Sequence, residues 1–375
     1  MSEFIHIVSL DAPSPPDYGG AIDIFYKIKA LSEAGKKIIL HYFWYKKHRG
    51  TKGLEPYCTQ IYAYKRKYFL NSLSFTLPHV VKTRINKLLV NRLNHDDYPI
   101  LLEGVHCAGI LPYINNRNRV ILRIHNDEAT YYGRLANSES RFVKKIYFSI
   151  ESYLLQKFQQ NLPKDLHLAC LSETDIEAFC KQYEFRNISF IPCFLPWQTV
   201  NIKTGSGDFC LYHGNLSISE NDLAARWLIS EVFSKITTPL IIAGKGASGN
   251  LIRLSNRYQN IQLLNNPTVH EIDKLIQEAH INIIPSMNRT GVKLKLLHSL
   301  LQGRYCVTNI AGVEGSHISK GVHIANEPAE YKQIIQQLMM KPFDNGLIKE
   351  REDTLKLYDN HKNAMLLIEE WKHCL

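Results

Sequence analysis

The chain has 375 residues, 45 % of them apolar and 21 % charged, with a formal net charge of +10. That length suits two domains with separate cores, and the composition is that of a globular protein rather than a disordered or fibrous one. No run of eighteen apolar residues suggests a membrane span, and eight cysteines without paired spacing argue for reduced thiols and against a zinc site.

Strand-like runs alternate with amphipathic helices throughout, the pattern of parallel α/β sheets. MSEFIHIVSLDAP has no basic region before its short apolar run, so it is read as a first strand (4–10) and not as a signal peptide. DAPSPPDYGG follows, and Gly19-Gly20 at the start of a helix near 20–34 gives a ligand close access to the backbone. Asp23, one turn on, is either a hydroxyl-orienting group or a solvated or capping acid. Strands are predicted at 36–45 and 60–65, and a helix at 73–94. From Lys46 to Arg92 the chain carries eleven Lys/Arg against one acid, Glu55, interleaved with Tyr57, Tyr62, Tyr64, Tyr68, Phe69 and Phe75. Such a segment suits an anionic membrane surface or an anionic lipid-linked acceptor, or is simply a solvated basic face. No nucleic-acid-binding module accompanies it, so nucleic acid is not the expected partner.

Strand 98–105 leads into His106, and strand 119–126 ends in His125-Asn126. Carboxyl ends of parallel strands are where open α/β sheets bind ligands. Tyr131, Tyr132 and Arg134 follow closely and are candidates for the acceptor side. Asp96-Asp97 reads as a turn. Helices at 139–161 and 173–182 and strands at 166–172 and 187–193 complete a first domain, 1–195, and residues 196–208 read as a linker.

The alternation restarts in a second domain, 209–360. Strand 209–214 ends in His213-Gly214 before a helix near 219–235 that Ser217 or Ser219 can cap. Strand 240–246 carries Lys245 in a glycine turn; strand 261–266, a helix at 269–279 and strand 281–286 follow. TGVKLKLLHSLLQGR (290–304) then reads as a helix with Thr290 as N-cap and Gly291 open to a ligand. Lys293 is expected in the first turn, where free N–H groups and the helix dipole favour an anion. Strand 305–310 precedes Gly312-Val313-Glu314-Gly315. The tail from Pro328 reads as helical, ending in an amphipathic helix, 361–375, whose Leu and Trp need a partner surface.

TGVKLKLLHSLLQGRYCVTNIAGVEG resembles the donor-binding segment of family 4 glycosyltransferases of the GT-B fold, which show a Gly-Thr-Gly-x-Lys-type turn, a helix, a strand and Gly-x-x-Gly before the next helix. The resemblance extends over essentially the whole chain. It implies two doubly wound Rossmann-like domains facing a cleft, with the C-terminal helix crossing back to the first. It also implies retaining, metal-independent transfer from a nucleotide sugar to a glycan or lipid-linked hydroxyl acceptor in polysaccharide assembly, without a further cofactor. The expected location is cytoplasmic, at the inner face of the membrane. By the same resemblance Gly19, Gly20, Gly214, Lys245, Thr290, Gly291, Lys293, His298, Glu314 and Gly315 serve the donor. His125 stands at the reacting sugar, and His106, Tyr131 and Arg134 line the acceptor side. Two departures stand out. Thr290 and His298 occupy the places of a usual glutamate pair, and the usual Arg/Lys pair after the second domain's first strand is absent. They leave open a non-catalytic GT-B protein that binds a nucleotide sugar or glycan, and a sugar-nucleotide epimerase.

Overall fold

The computed structural model describes residues 2–45, 49–67, 74, 76–139, 141–287, 289 and 291–374. They form two compact units, Met1–Pro196 with Tyr358–Leu375, and Trp197–Leu357. The first is built on β1 (Phe4–Ser9), β2 (Lys37–Trp44), β3 (Cys58–Lys65), β4 (Ile100–Glu103), β5 (Val120–Ile124), β6 (His167–Cys170) and β7 (Ile188–Phe190). All pair in parallel, in the order β3-β2-β1-β4-β5-β6-β7. β4, β5 and β6 are buried along their whole length, as continuous apolar runs in a parallel sheet require. The strand order reverses between β1 and β4, so a crevice opens at their carboxyl ends.

The second unit holds β8 (Cys210–His213), β9 (Leu240–Gly244), β10 (Ile261–Asn265), β11 (Ile281–Ile284), β12 (Tyr305–Thr308) and β13 (His323–Ile324). Their order is β10-β9-β8-β11-β12-β13, again parallel, with the reversal between β8 and β11. No described helix is long and apolar enough to cross a membrane.

Several elements depart from the sequence reading. The helix expected over 73–94 is, among the described residues, two short ones, His79–Lys82 and Lys87–Leu93. Asn86 starts the second by accepting from Leu88 N and Leu89 N. Glu128–Ser138 is an unanticipated helix. The helix from Ser219 is α-helical only to Trp227 and widens into a π turn, Leu228–Val232. Its N-cap is Ile218, not a serine. Of residues 196–208, read as linker, 197–208 belong to the second unit: Gly205 and Phe343 exchange backbone hydrogen bonds of 2.8 and 2.9 Å, and Gly207 N donates to His280 Nδ1 at 3.0 Å. The final helix, Asn360–Cys374, packs in the first unit, where Ala364, Leu367, Ile368 and Trp371 join Ile24, Ile28 and Leu31 in one core.

Asp96, read as part of a turn, anchors a buried polar chain. His6 Nε2 lies 3.0 Å from Asp96 Oδ1, His6 Nδ1 2.9 Å from His41 Nε2, and His41 Nδ1 3.0 Å from Tyr64 OH, which also accepts from Arg92 at 3.1 Å. A carboxylate only accepts, so His6 Nε2 carries hydrogen and His6 Nδ1 must accept from His41. His41 Nδ1 in turn accepts from the Tyr64 hydroxyl. Protonating His6 sets its Nδ1–H against the Nε2–H of His41, and protonating His41 sets its Nδ1–H against the Tyr64 hydroxyl proton. Burial holds both histidines below their ordinary value. The unfolded chain therefore takes up protons below about pH 6.5 that the folded chain refuses, and stability falls as pH drops from there. His41→Phe, which removes one of these groups but orphans His6 and Tyr64, is expected to be less stable than the parent at pH 7.5. Its denaturation midpoint should depend less on pH between 7 and 5, measured in urea. An undiminished pH slope would contradict this reading.

Candidate functional site

In the first unit the crevice between β1 and β4 is floored by charge. Lys27, fully buried on the helix Gly19–Glu33, donates to Asp23 Oδ2 at 2.8 Å and to Glu103 Oε1 at 2.7 Å. The other oxygen of Glu103 lies 2.8 Å from His125 Nε2. Asp23 Oδ1 accepts from Phe194 N at 2.9 Å and lies 3.5 Å from Arg123 Nη2. Asp23 is thus neither a solvated nor a capping acid, and no hydroxyl can displace its partners cheaply. Burial alone would raise both carboxyls, but Lys27 above all outweighs it and holds both below the usual range. Donor atoms of Asp23, Glu103 and His125 are close enough to grip a metal ion, yet the Lys27 ammonium already supplies the cation between the two acids.

Glu103 fixes the proton of His125 on Nε2, leaving Nδ1 as an acceptor. A Cβ placed on Gly20 would lie 3.9 Å from that Nδ1, so glycine there keeps the approach to it open. A second pair is formed reciprocally. Glu103, from β4, meets the histidine after β5, while His106, after β4, lies 3.8 Å from Glu128, after β5. Burial, with Asp175 adding, pushes the Glu128 carboxyl up to about 8, and burial and Arg84 hold His106 well below its usual value. Tyr131 and Arg134 stand half-buried on the helix that Glu128 begins.

In the second unit, β8 delivers His213-Gly214. His213 Nε2 lies 3.1 Å from Ser299 Oγ, and Gly214 N donates to Ala243 O at 3.1 Å. A Cβ on Gly244 would collide with the Gly214 carbonyl oxygen, so this turn requires glycine on the adjacent strand. Lys245 is exposed, and its carbonyl accepts from Ser217 N at 3.0 Å, tying the two turns together.

After β11, Gly291 adopts φ of +64°, which favours glycine. Thr290 lies outside the described residues. The helix begins at Leu294 with Lys293 as its N-cap, so Lys293 precedes the first turn rather than standing inside it. Its ammonium donates to Gly291 O at 3.0 Å. Lys295, which carries no role in the sequence reading, sits over the Tyr212 ring and donates to Asn221 Oδ1 at 3.0 Å. Burial, reinforced by Lys293, lowers its pKa to about 8. Two cations that destabilise each other at a helix N-terminus are relieved by an anion.

His298 is buried with one face stacked on Trp197, centroids 3.9 Å apart, and its Nε2 is 3.0 Å from Asp273 Oδ1. The ring expected to serve the donor thus has Nε2 close to Asp273, although that contact is not aligned as a hydrogen bond. His298→Glu would set a carboxylate against Asp273 and is expected to cost about 1–3 kcal/mol of stability, read by urea denaturation; unchanged stability would place His298 away from Asp273. Glu314 lies 3.6 Å from Arg289 Nε, and Gly312 falls inside a four-residue helix, Ile310–Val313, so the Gly-x-x-Gly stretch does not precede a long helix as expected. Beside these strand ends a cavity of about 600 Å³ is lined by Trp227, Glu231, Met287, Asn309 and Tyr331 among others. None of these carried a motif.

Of the basic segment 46–92, Lys46, Lys47, Tyr68, Phe69 and Phe75 lie outside the described residues. Arg84 is buried and donates to Leu10 O and Val80 O, and Arg92 is stacked on Tyr62, 4.1 Å from its centroid. Those two arginines serve the fold, so the basic face is smaller than composition suggested.

Residues 208–341 match the model of the family described as glycosyl transferases group 1. An uncharacterized 44.6 kDa protein in the cps region of Klebsiella pneumoniae is 27 % identical over 344 residues, 86 % of this chain and 87 % of that protein. Sucrose-phosphate synthase from Thermosynechococcus elongatus superposes with a TM-score of 0.71 at 13 % identity, covering 99 % of each chain. An E. coli structure described as trehalose-6-phosphate bound with UDP-2-fluoro glucose gives 0.67 at 12 % identity, covering 98 % of this chain and 99 % of its own. The chain therefore has the GT-B fold of these structures, and residues 208–341, within its second unit, are similar to the group 1 glycosyl transferases.

Proposed function

We propose that this protein transfers a sugar from a nucleotide-sugar donor to a hydroxyl of a glycan or lipid-linked acceptor in polysaccharide assembly. The observation that carries the reading is the family match over 208–341, which contains the Gly214 turn and the helix that begins at Leu294 between Lys293 and Lys295. The neighbour bound to UDP-2-fluoro glucose supports a nucleotide sugar, and the relative from a cps region supports polysaccharide assembly. In the reaction the bond from sugar carbon to phosphate oxygen breaks and one to the acceptor oxygen forms. The acceptor proton passes to the departing diphosphate in the retaining course that the family resemblance implies. Lys293, Lys295 and the helix N–H groups stabilise the growing diphosphate charge. His125, with its tautomer held by Glu103, orients the reacting sugar through Nδ1. In the second unit Lys245, Glu314 and Gly315 complete the donor contacts; in the first, Gly19 and Gly20 are candidates for the donor and His106, Tyr131 and Arg134 for the acceptor. No cofactor beyond the donor is needed, and the place of action is the cytoplasmic face of the membrane. A calorimetric panel of nucleoside diphosphates tests the reading: one of them should bind stoichiometrically, and binding by none would overturn it.

A further inference from the structure

The helix Phe142–Gln160 turns an apolar face to solvent. Phe142, Val143, Ile146, Ile150 and Tyr153 are between 44 and 79 % exposed. At about 100° per residue they share one sector of the helix roughly 100° wide, while Glu151, Leu155 and Gln159 point away from it and are buried. Scattered apolar side chains on a surface need no explanation, but a contiguous stripe does. Its surroundings indicate what covers it. Arg141, Lys144, Lys145 and Lys157 are exposed on or beside the same helix. The helix has a single acid, Glu151, and that is turned inward to accept from His79 N at 3.0 Å and Val80 N at 2.8 Å. The exposed side thus combines an apolar centre, a tyrosine, Lys157 within the same sector and Lys145 beside it, with Arg141 at the helix start and no exposed acid on the helix. A second copy docking through this stripe would bring two such sets of cations together.

We propose that this helix is the membrane-contacting element of the protein, lying in the headgroup region of an anionic bilayer with Phe142, Val143, Ile146, Ile150 and Tyr153 inserted. A helix with this division of apolar and basic residues lies in an interface rather than spanning it. The contact does not depend on the basic segment 46–92, although the two meet where His79 packs edge-on to Tyr147, centroids 6.3 Å apart. The proposal rests on the glycosyltransferase reading only in that a membrane would carry a lipid-linked acceptor.

The test uses the full chain in co-sedimentation with vesicles of phosphatidylcholine, with and without phosphatidylglycerol. Binding should require phosphatidylglycerol and weaken as salt shortens the reach of the lysines. A Phe142→Asn, Ile146→Asn, Ile150→Asn variant should lose about tenfold or more of the partitioning, as should Lys145→Glu with Lys157→Glu. All five positions are exposed, so folding should survive, and circular dichroism checks it. Equal binding to neutral vesicles, no binding at all, or unaltered binding by the triple variant would overturn the proposal. So would self-association in sedimentation velocity that the triple variant abolishes, which would assign the face to a second copy. Calorimetry with UDP on the same preparations separates the two readings, because its failure bears on the enzyme and leaves the vesicle result standing.

Discussion

Lys27→Met is expected to cost about 3–5 kcal/mol of folding stability, the range for leaving buried charge without its partner. The side chains have similar length, so packing changes little, but the ammonium bridging Asp23 and Glu103 at 2.8 and 2.7 Å is gone. Both carboxyls sit below the usual range because Lys27 outweighs their burial. Without it burial prevails and they take up protons. In the parent, these acids contribute stability above their unfolded pKa of about 4, and it is lost as pH falls through their lower folded values. The variant lacks that contribution and folds with the acids neutral, so its deficit should narrow as pH falls from 7.5 toward 4. Urea denaturation at several pH values measures this. A loss under about 1 kcal/mol, or one independent of pH, would contradict the charge network described here. The same variant should lose turnover beyond its loss of stability, since a neutral Glu103 no longer fixes the tautomer of His125.

Lys293→Ala is expected to weaken UDP binding by about 2 kcal/mol, or roughly thirtyfold, typical of a charge-assisted contact to phosphate. Its ammonium donates to the neutral Gly291 O, and a charged phosphate oxygen is the stronger acceptor. Lys295 adds a pH signature. With its pKa lowered to about 8, it is a cation below that pH and neutral above, so UDP affinity should fall as pH rises through 8. Removing Lys293 relieves the repulsion and should move that fall to higher pH. Calorimetric titration across pH 7–9.5 reads both effects. Unchanged affinity in Lys293→Ala would remove the diphosphate from this helix.

The strands were legible because buried parallel strands are written as short apolar runs, and FIHIVS, ILLE and INII could be nothing else in an alternating chain. The helix Glu128–Ser138 was not, because EATYYGRLANS has no apolar stripe and buries only Glu128, Ala129 and Ala136. The glycine turns and the two strand-end histidines could be placed by local pattern. Their partners could not: Lys27 meets Glu103 across 76 residues and His6 meets Asp96 across 90, distances over which no periodicity operates. The same holds for His298, which the resemblance gives to the donor, while Trp197, stacked on its face, and Asp273, 3.0 Å from its Nε2, come from the linker reading and from a separate helix. Lys293 was misplaced relative to the helix start because the turn from Gly291 runs further before the first helical residue than a Thr290 cap would allow.

The most direct test of the central claim is a transfer assay with a panel of labelled nucleotide sugars, following nucleoside diphosphate release with and without a membrane lipid extract. One donor should release its diphosphate only when the extract is present, with the labelled sugar appearing on an extractable product, and His125→Ala should abolish release while UDP still binds. Release that needs no extract and leaves free or rearranged sugar would contradict transfer and point to an epimerase. Nucleotide binding without release from any donor would leave a binding protein in place of an enzyme.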